Sequence, residues 1–307
     1  MAEKKQKTNY VLVTGIIIAI VLAIIIVPII LFAFIGALLG GTSAPTISGN
    51  VLIIPIHGVI VAETQPSIFG SSGAVSSTNI IRILDEAENN RKVDAVILEI
   101  NSPGGSGVAS DEIARRVATF NKPIVANIRE SGASGAYWVA SSTDYITANR
   151  FSIVGSIGVI ASYLEFSGLL EHFNISYQRF VAGDNKDFGS PFREPTPQEA
   201  QQFQALLDEM HTIFIQEVAK GRNMPEQDIR ALADGSIYTG SQAVSLGLID
   251  STGGMDDAIA YLEDVLNKQV SVSRYSRNPS FLELLATVGT QPFGFFLSDT
   301  QVPIIKT

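Results

Sequence analysis

The sequence predicts an α/β domain built on a mainly parallel sheet. Two apolar segments, Val93–Ile100 and Pro123–Ile128, have the composition of buried strands, and Val108–Phe120 between them has the composition of a helix. Similar strand-like and helix-like segments alternate along much of the chain. Because parallel strands are joined by crossover helices, this alternation is typical of a parallel sheet with helices on its faces.

The elements that precede the first clear strand begin near residue 51. Val51–Ile56 and Val59–Ala62 predict strands, and Glu63–Thr78, which is rich in Ser and Gly, predicts a loop over or beside a site. A helix is expected next, because apolar residues recur there at helical spacing: Ile80, Ile81, Leu84 and Ala87.

The elements between residues 130 and 181 are shorter. We expect a tight turn around Ser134, followed by a helix, two strands, a helix and a strand: Tyr137–Ser141, Tyr145–Ala148, Ser156–Ala161, Leu164–Phe173 and Ile175–Val181. These segments continue the alternation that indicates a parallel sheet.

The last third of the sequence is predicted to be mainly helical. The polar loop Ala182–Glu194 precedes a long helix that is expected to run to Lys220 and to be closed by Gly221. Three residues mark its start as an N-cap, a first-turn proline and a capping box: Thr196, Pro197 and Glu199. Shorter helices are expected after it: Pro225–Ala233, Ser241–Leu246 and Asp256–Leu266.

The composition of the 307-residue chain excludes several kinds of partner and site. The formal net charge is −9 and no basic patch follows the first seven residues, which argues against nucleic acid as a partner. The absence of cysteine excludes disulfides, thiol nucleophiles and Cys-ligated zinc. With only three histidines, a His-rich metal site is not expected either.

An apolar segment near the N-terminus predicts a transmembrane helix. Val11–Leu39 carries no charge and exceeds the ~20 residues that a helix needs to cross a bilayer. Lysines precede it and no Lys or Arg follows until Arg82, so residues 1–10 are expected in the cytoplasm and the domain outside. A cleavable signal peptide is the alternative, but the apolar run is too long and the candidate site Thr42–Ala44 is followed by Pro45.

The remaining boundaries follow from composition. Residues 40–50 form a Gly/Ser/Thr/Pro linker, residues 51–270 form the α/β domain, and residues 271–307 form a C-terminal extension. This extension is expected to pack on the body or on a neighbouring protomer, because exposing its apolar residues would be costly: Phe281–Leu285, Phe293, Phe295 and Phe296.

The segment Glu130–Ala140 combines many very small residues with one hydroxyl group, that of Ser134. It lies between a predicted strand and a predicted helix, where a sharp turn presents a serine hydroxyl instead of packing it. We interpret Ser134 as a nucleophile. Alternatively, the small residues only allow close helix packing, and Ser134 caps the helix.

A serine nucleophile needs a base, and the three histidines are poor candidates. His57 lies in a strand-like stretch, and His172 and His211 lie among apolar helical residues, so packed or surface roles are expected for them. Lys186 lies in the Ala182–Glu194 loop and could reach the same end of the sheet. Its pKa would have to fall toward ~7–8, which flanking carboxylates oppose, and the alternative is a solvated loop lysine.

A second glycine-rich loop, Asn101–Gly107, follows the neighbouring predicted strand. The carboxyl ends of parallel strands meet at one edge of a sheet, so this loop and Ser134 are expected to form one site. The backbone N–H groups of Gly104 and Gly105 could stabilise an oxyanion there, although a glycine-rich turn can also be only a turn. No Gly-Lys-Ser/Thr follows, which excludes a phosphate-binding P-loop.

Four motifs in this order resemble the signal peptide peptidase A (SppA) family of membrane-anchored Ser-Lys peptidases. They are Ile100–Gly105 (I-N-S-P-G-G), Glu130–Ala140 (E-S-G-A-S-G-A-Y-W-V-A), Val154–Ile160 (V-G-S-I-G-V-I) and Gly183–Thr196 (G-D-N-K-D-F-G-S-P-F-R-E-P-T). The resemblance extends from about residue 51 to residue 255. Ala136 and Trp138 depart from the Gly-Gly-Tyr-Tyr that the family commonly has at residues 135–138.

The resemblance implies a Clp protease/crotonase-like fold and assigns roles to individual residues. Ser134 corresponds to the family's nucleophile, Lys186 to its general base and Ser156 to a serine that hydrogen-bonds this lysine. Gly104 and Gly105 correspond to the oxyanion hole, with Gly105 the surer donor. The family also implies a homo-oligomeric ring and a reaction that needs neither metal nor cofactor.

The expected function is therefore that of a single-pass membrane serine endopeptidase. Its expected substrates are hydrophobic peptides near the membrane, such as cleaved signal peptides. Three alternatives are a Ser-Lys protease that cleaves stomatin-like proteins, a catalytically inactive anchored scaffold, and a crotonase-like acyl-CoA enzyme. The last is disfavoured because no basic pocket for CoA phosphates is apparent.

Overall fold

The computed structural model describes residues 16–18, 20–32, 34, 49–63 and 73–275. The chain divides into two compact units, and the α/β body, within residues 47–65 and 73–275, is one of them. The helical residues between 16 and 34 belong to the other unit. The body has strands and helices in alternation around a mainly parallel sheet, which confirms the predicted α/β class.

The strands of the body are short apart from three central ones. In chain order they are β1 (Val51–His57), β2 (Val59–Val61), β3 (Ala74–Ser76), β4 (Ala95–Ser102), β5 (Ile124–Ala133), β6 (Tyr145–Ala148), β7 (Ile153–Gly155), β8 (Ile237–Thr239), β9 (Ser251–Thr252) and β10 (Val272–Arg274). Eight of these described strands form one sheet in the order β10-β1-β4-β5-β6-β9, with β7 beside β5 and β8 antiparallel to β7. The other two, β2 and β3, pair with each other.

The helices of the body lie between and after these strands. They are α1 (Ser77–Asn89), α2 (Gly107–Ala118), α3 (Gly135–Ser141), α4 (Ser167–His172), α5 (Pro197–Arg222), α6 (Glu226–Leu232), α7 (Gly240–Ser245) and α8 (Met255–Leu266). The predicted start of α5 is confirmed, because Thr196 and Glu199 form a capping box around Pro197. The helix ends at a left-handed Asn223 and not at Gly221 as the sequence suggested.

Both faces of the sheet are buried, which explains the near-continuous apolar run in β4. Val96, Leu98 and Ile100 belong to the larger core cluster, whereas Ala95 and Ile97 belong to a second cluster that α8 covers. Successive side chains of a strand point to opposite faces, so a strand covered on both sides must be apolar at every position. Because this packing fixes the positions of β4 and β5, it also fixes where the loops that follow these strands begin.

The strand β5 is longer than predicted because it changes partners. Its first half pairs with β6 between Val125 and Ile128, and its second half pairs with β7 between Ser131 and Ala133. The sequence placed the end of this strand at Ile128, because the charged and then small residues that follow, from Arg129 to Ala133, do not continue the apolar pattern of a buried strand. The tertiary pairing with β7 extends the strand to the residue before Ser134.

Two of the predicted strands are wrong. Within the described residues, neither 156–161 nor 175–181 pairs with another strand, and both segments are irregular. We call residues 159–196 the outer segment, because most of its side chains are exposed, including many that are apolar. Its apolar residues produced a strand-like pattern, but no neighbouring strand in the described part of the body supplies hydrogen bonds to it.

The predicted membrane helix and the C-terminal tail lie partly or wholly outside the described residues. Within Val11–Leu39, residues 16–18, 20–32 and 34 are described, and they are helical and apolar. Among described helices, none combines the length and the apolar character required to span a bilayer. The tail containing Phe281–Leu285 and Phe293 is outside the described residues.

Candidate active site

Ser134 lies at the corner between β5 and α3. Its backbone adopts φ 53° and ψ −126°, a left-handed conformation that non-glycine residues rarely adopt. The corner is held by two backbone hydrogen bonds: Ser134 N–H donates to the Gly155 carbonyl (2.8 Å), and Trp138 N–H donates to the Ser134 carbonyl (3.0 Å). A side chain held in this way at a strand-to-helix corner is presented at the carboxyl edge of the sheet.

The alternative role for Ser134, that of a helix cap, does not fit the geometry. Ser134 occupies the N-cap position of α3, but its side chain accepts no capping hydrogen bond. The small neighbours do allow close packing, since a Cβ on Gly135 would lie 2.1 Å from the Ser110 hydroxyl oxygen. Packing therefore explains the glycine beside Ser134, whereas it leaves the half-buried serine hydroxyl without a structural role.

The helix that follows Ser134 is fixed in the core. The Trp138 ring stacks on Phe214 of α5 with centroids 4.9 Å apart, and the Tyr137 hydroxyl donates to the Leu248 carbonyl (2.7 Å). Burial raises the pKa of the fully buried Tyr137 hydroxyl. Trp138, where the motif departs from the family pattern, is thus a core residue, and the departure affects the packing of α3.

Gly104 lies directly against Ser134. A Cβ on Gly104 would lie 2.8 Å from the Ala133 carbonyl oxygen and 2.9 Å from the Ser134 Cβ, and φ is 97°. Its N–H donates to the Ser102 hydroxyl (3.1 Å), so this N–H is engaged within the loop. The position requires glycine both for its backbone conformation and for its close approach to the serine.

Gly105 has a different hydrogen-bonding state from Gly104. The adjacent strand β2 holds this loop, because Ile60 N–H donates to the Gly104 carbonyl (2.9 Å) and Ser106 N–H donates to the Ile60 carbonyl (2.8 Å). In the described part of the chain, the Gly105 N–H donates to no acceptor. Gly105 is therefore the better placed of the two glycines to donate to a ligand.

Sequence reasoning missed a second free N–H beside the serine, that of Gly135. It begins α3, and among the described groups it has no acceptor, as is usual in the first turn of a helix. The Cβ position of Gly135 lies 3.6 Å from the Gly105 nitrogen, so these two N–H groups are neighbours. The predicted helix start at Tyr137 concealed this donor, because Gly135 was interpreted as part of the turn.

Ser156 shares a cavity with Ser134. It follows β7, has φ 53°, and its N–H donates to the Ser236 carbonyl (2.7 Å). The cavity has a volume of about 370 Å³, and both serines line it. The two sequence motifs that contain these serines therefore meet.

The cavity also contains His211, which the sequence interpretation set aside. His211 lies on α5, and its Nε2 is buried without a hydrogen-bond partner in the described part of the protein. Asp208 and Asp234 line the same cavity. The amphipathic pattern of α5 gave no indication of this placement, since only the packing of α5 on α3 brings His211 to the serines.

Lys186 is the one predicted site residue that the fold of a single chain leaves apart. Its side chain is exposed, and its backbone N–H donates to the Gly183 carbonyl (3.1 Å). Within the described structure, Lys186 does not line the cavity and makes no side-chain hydrogen bond with Ser134 or Ser156. The structure thus groups Ser134, Ser156 and the two glycines, and it places the lysine on the outer segment.

The carboxylate next to Lys186 is engaged by arginines. Hydrogen bonds from Arg179 and then Arg193 hold the pKa of the Asp187 carboxyl well below its usual range, against a smaller effect of desolvation.

Among the described residues, no group of three or more His, Asp or Glu side chains is arranged to hold a metal ion.

Comparison with known proteins identifies relatives of the body. The sequence model of peptidase family S49 matches residues 117–270, a range that contains Ser134, Ser156 and Lys186. A "Putative protease" of Methanocaldococcus jannaschii is 39% identical over 189 residues, which cover 61% of each chain. A "Putative signal peptide peptidase SppA" of Enterococcus faecium is 37% identical over 217 residues, 70% of this chain and 63% of the relative.

A third relative is covered more fully. A "Putative protease" of Synechocystis sp. is 36% identical over 192 residues, 61% of this chain and 69% of the relative. The chain spans a little over three fifths of the length of the archaeal and enterococcal relatives, with 61% and 63% covered.

Proposed function

We propose that this protein is a membrane-anchored endopeptidase that acts through a Ser-Lys dyad. The premise is that the chain belongs to peptidase family S49 and is a serine protease of the SppA type. Ser134 is the nucleophile and Lys186 is the general base. The observation that carries this proposal is the corner at Ser134. Among the described residues, its half-buried hydroxyl makes no hydrogen bond, and it lies beside the N–H of Gly105, which has no acceptor there.

The reaction follows from these groups. The Lys186 amine takes the proton from the Ser134 hydroxyl as the oxygen attacks the carbonyl carbon of the scissile peptide bond. The N–H groups of Gly105 and Gly135 stabilise the resulting oxyanion, and Gly104 shapes the loop that holds them. The protonated lysine then donates to the leaving amine, and water hydrolyses the acyl-enzyme by the same steps in reverse roles. Ser156 hydrogen-bonds the amine and orients it.

The base comes from a neighbouring copy in a homo-oligomeric ring. Lys186 lies outside the Ser134 cavity of its own chain, and the outer segment that carries it exposes apolar side chains. Among them are Ile160, Leu164, Phe173 and Phe180. Apolar surface of this extent is typical of an interface, and a second copy that covered it would bring a lysine to the serine of the first.

The substrates are hydrophobic peptides close to a membrane, such as remnants of signal peptides. Apolar residues line part of the cavity at Ser134, including Val159, Ile160 and Leu207. An anchor formed by residues 11–39, with a cytoplasmic N-terminus, would hold the domain on the extracytoplasmic side of the membrane. A peptide bound in extended form would use backbone groups of an exposed strand edge.

The test compares the full chain in detergent with Ser134→Ala and Lys186→Ala on a fluorogenic apolar peptide. Each variant is expected to lose at least ~10³-fold in kcat/KM, because a nucleophile and its base act as a unit. Lys220→Ala is the control, since Lys220 is a solvated lysine of α5. Labelling of wild type, but not of Ser134→Ala, by a fluorophosphonate is also expected. Equal turnover by all variants would exclude the dyad, and absence of any labelling would favour an inactive scaffold.

A further inference from the structure

Two arginines hold the loop that carries Lys186. Arg179 Nη2 donates to Asp187 Oδ1 (2.6 Å), and Arg193 donates through Nε to Asp187 Oδ2 (3.0 Å) and through Nη2 to Oδ1 (3.1 Å). Arg193 also donates to Glu199 Oε2 through Nη1 (2.8 Å). We call these four residues, Arg179, Asp187, Arg193 and Glu199, the clamp.

The clamp joins the loop to the rigid start of α5. Glu199 is buried and accepts from the Thr196 N–H (2.8 Å) in the capping box. On the other side, the Arg179 guanidinium also donates to the Asp184 carbonyl (3.3 Å), so it contacts the chain both before and after Lys186. Tight turns close the loop, since Phe188 N–H donates to the Asn185 carbonyl and Ser190 N–H to the Asp187 carbonyl. The backbone of Lys186 is therefore fixed although its side chain is exposed.

The clamp also determines which charges meet the lysine. The charged groups of the loop and its neighbours are Asp184, Asp187, Arg179, Arg193, Glu194 and Glu199. Asp187 directly follows Lys186 in the sequence, and a carboxylate that pairs with an amine favours its protonated form. Both oxygens of Asp187 are taken by guanidinium groups, and the clamp as a whole balances two arginines with two carboxylates. Asp187 is thereby prevented from pairing with its neighbour.

We propose that Arg179 and Arg193 are positioning residues for the reaction base: they withhold Asp187 from Lys186 and fix the loop that delivers the amine. This inference rests on the proposed role of Lys186. It resolves the conflict in the sequence, where a lysine that must lose its proton is followed by an aspartate.

The test uses charge changes of opposite sign in the full chain. Arg179→Ala is expected to move the acidic limb of the kcat/KM pH profile to higher pH by on the order of 0.5 unit, because Asp187 is freed to favour the charged amine. Asp187→Asn is expected to move it by a similar amount to lower pH. The double variant is expected to return close to wild type, and Arg179→Lys, which keeps the positive charge, is expected to remain there.

A purely structural clamp predicts something different. Every variant would then lower the maximum of the kcat/KM pH profile, and the acidic limb of that profile would stay at the same pH as in the wild type. Arg179 is preferred to Arg193 for the main variant because Arg193 also contacts Glu199 in the helix cap, and its loss could unfold the start of α5. Circular dichroism on each variant checks that the fold is retained.

A second readout separates failure of this inference from failure of the proposed function. Trace acetylation by acetic anhydride, quantified by mass spectrometry across pH, reports the protonation of the Lys186 amine without any peptide hydrolysis. Lys220 is the internal control. Opposite shifts in Arg179→Ala and Asp187→Asn with undiminished hydrolysis by Lys186→Ala would show that the clamp controls the protonation of Lys186, but would refute the dyad and with it the positioning role of the two arginines. If Lys186→Ala is inactive and neither Arg179→Ala nor Asp187→Asn moves the pH profile of hydrolysis or of acetylation, the clamp proposal is overturned and the dyad is retained.

Discussion

The serine and the lysine lie in regions of opposite character. Ser134 stands at a corner between a strand and a helix that are both buried, and backbone hydrogen bonds hold it on either side. Lys186 lies on the outer segment, whose side chains are mainly exposed and whose loop is held by ion pairs of its own. One chain thus brings together the proposed nucleophile and the proposed oxyanion donors, whereas the proposed base lies apart from them on an exposed surface.

Among the variants that compare the two regions, the largest effect on activity is expected from Gly104→Ala, which tests how rigid the serine region is. A Cβ there would lie 2.8 Å from the Gly135 nitrogen as well as from the Ala133 carbonyl oxygen, and φ is 97°. Displacing the oxyanion donors should reduce kcat by about 100-fold or more. Gly107→Ala is the matched control, because nothing lies within 4 Å of its Cβ position. Full activity of Gly104→Ala would show that the loop tolerates movement and is not the oxyanion hole.

Co-expression of Ser134→Ala with Lys186→Ala tests whether the two regions must come from different chains. If each site combines a serine and a lysine from neighbouring copies, random mixing leaves about a quarter of the sites intact. Two different affinity tags isolate the mixed assemblies, and peptide hydrolysis is then measured. A dyad within one chain predicts no recovery, so activity no higher than that of the separate variants would contradict the neighbouring-copy arrangement.

Phe180→Ser tests whether the outer segment is an interface. Phe180 is 92% exposed, so the substitution should change the free energy of unfolding of a chain by only ~0.5 kcal/mol or less. It should nevertheless weaken assembly, which analytical ultracentrifugation measures. Phe151→Ser is the control, since Phe151 is 75% exposed but lies outside the outer segment. Assembly that is equally insensitive to both substitutions would mean that another surface joins the copies.

The smallest effect on activity is expected from Tyr137→Phe, which probes the stability of the buried region alone. Loss of the hydroxyl leaves the buried Leu248 carbonyl without its donor, and should lower the free energy of unfolding by roughly 1–3 kcal/mol. Tyr163→Phe, on the exposed outer segment, should leave it unchanged. Denaturant titration measures both. A neutral Tyr137→Phe would show that α3 is held by apolar packing without this hydrogen bond.

The parts of the fold that the sequence predicted are those governed by local signals. The buried strands β1, β4 and β5, the helix α5 and its capping box each carry their pattern in adjacent residues. The strands predicted at residues 156–161 and 175–181 were wrong, because an apolar pattern cannot distinguish a buried strand from an exposed surface. The extension of β5 to Ala133 depends on β7, which lies elsewhere in the chain.

The candidate site likewise contains residues that the sequence could identify and groups that only the structure reveals. Ser134, Gly104 and Gly105 could be chosen from small-residue motifs and from the expected order of the strands, whereas Ser156 was chosen from the family resemblance alone. The free Gly135 N–H and the placement of His211 could not be chosen, because each depends on where a helix begins or packs. The role of Lys186 remains a prediction, and its distance from the cavity was not visible in the motif that contains it.

The sequence by itself determined the α/β class, the peptidase family and the residue types of a serine hydrolase, because hydrophobic periodicity and short motifs are properties of neighbouring residues. Only the tertiary structure decided which of these residues meet. Pairing of β5 with β7 and packing of α3 on α5 bring the two serines, two free N–H groups and a histidine to one edge of the sheet. The physical reason is that contacts between distant segments depend on the packing of the whole core, which no local pattern contains.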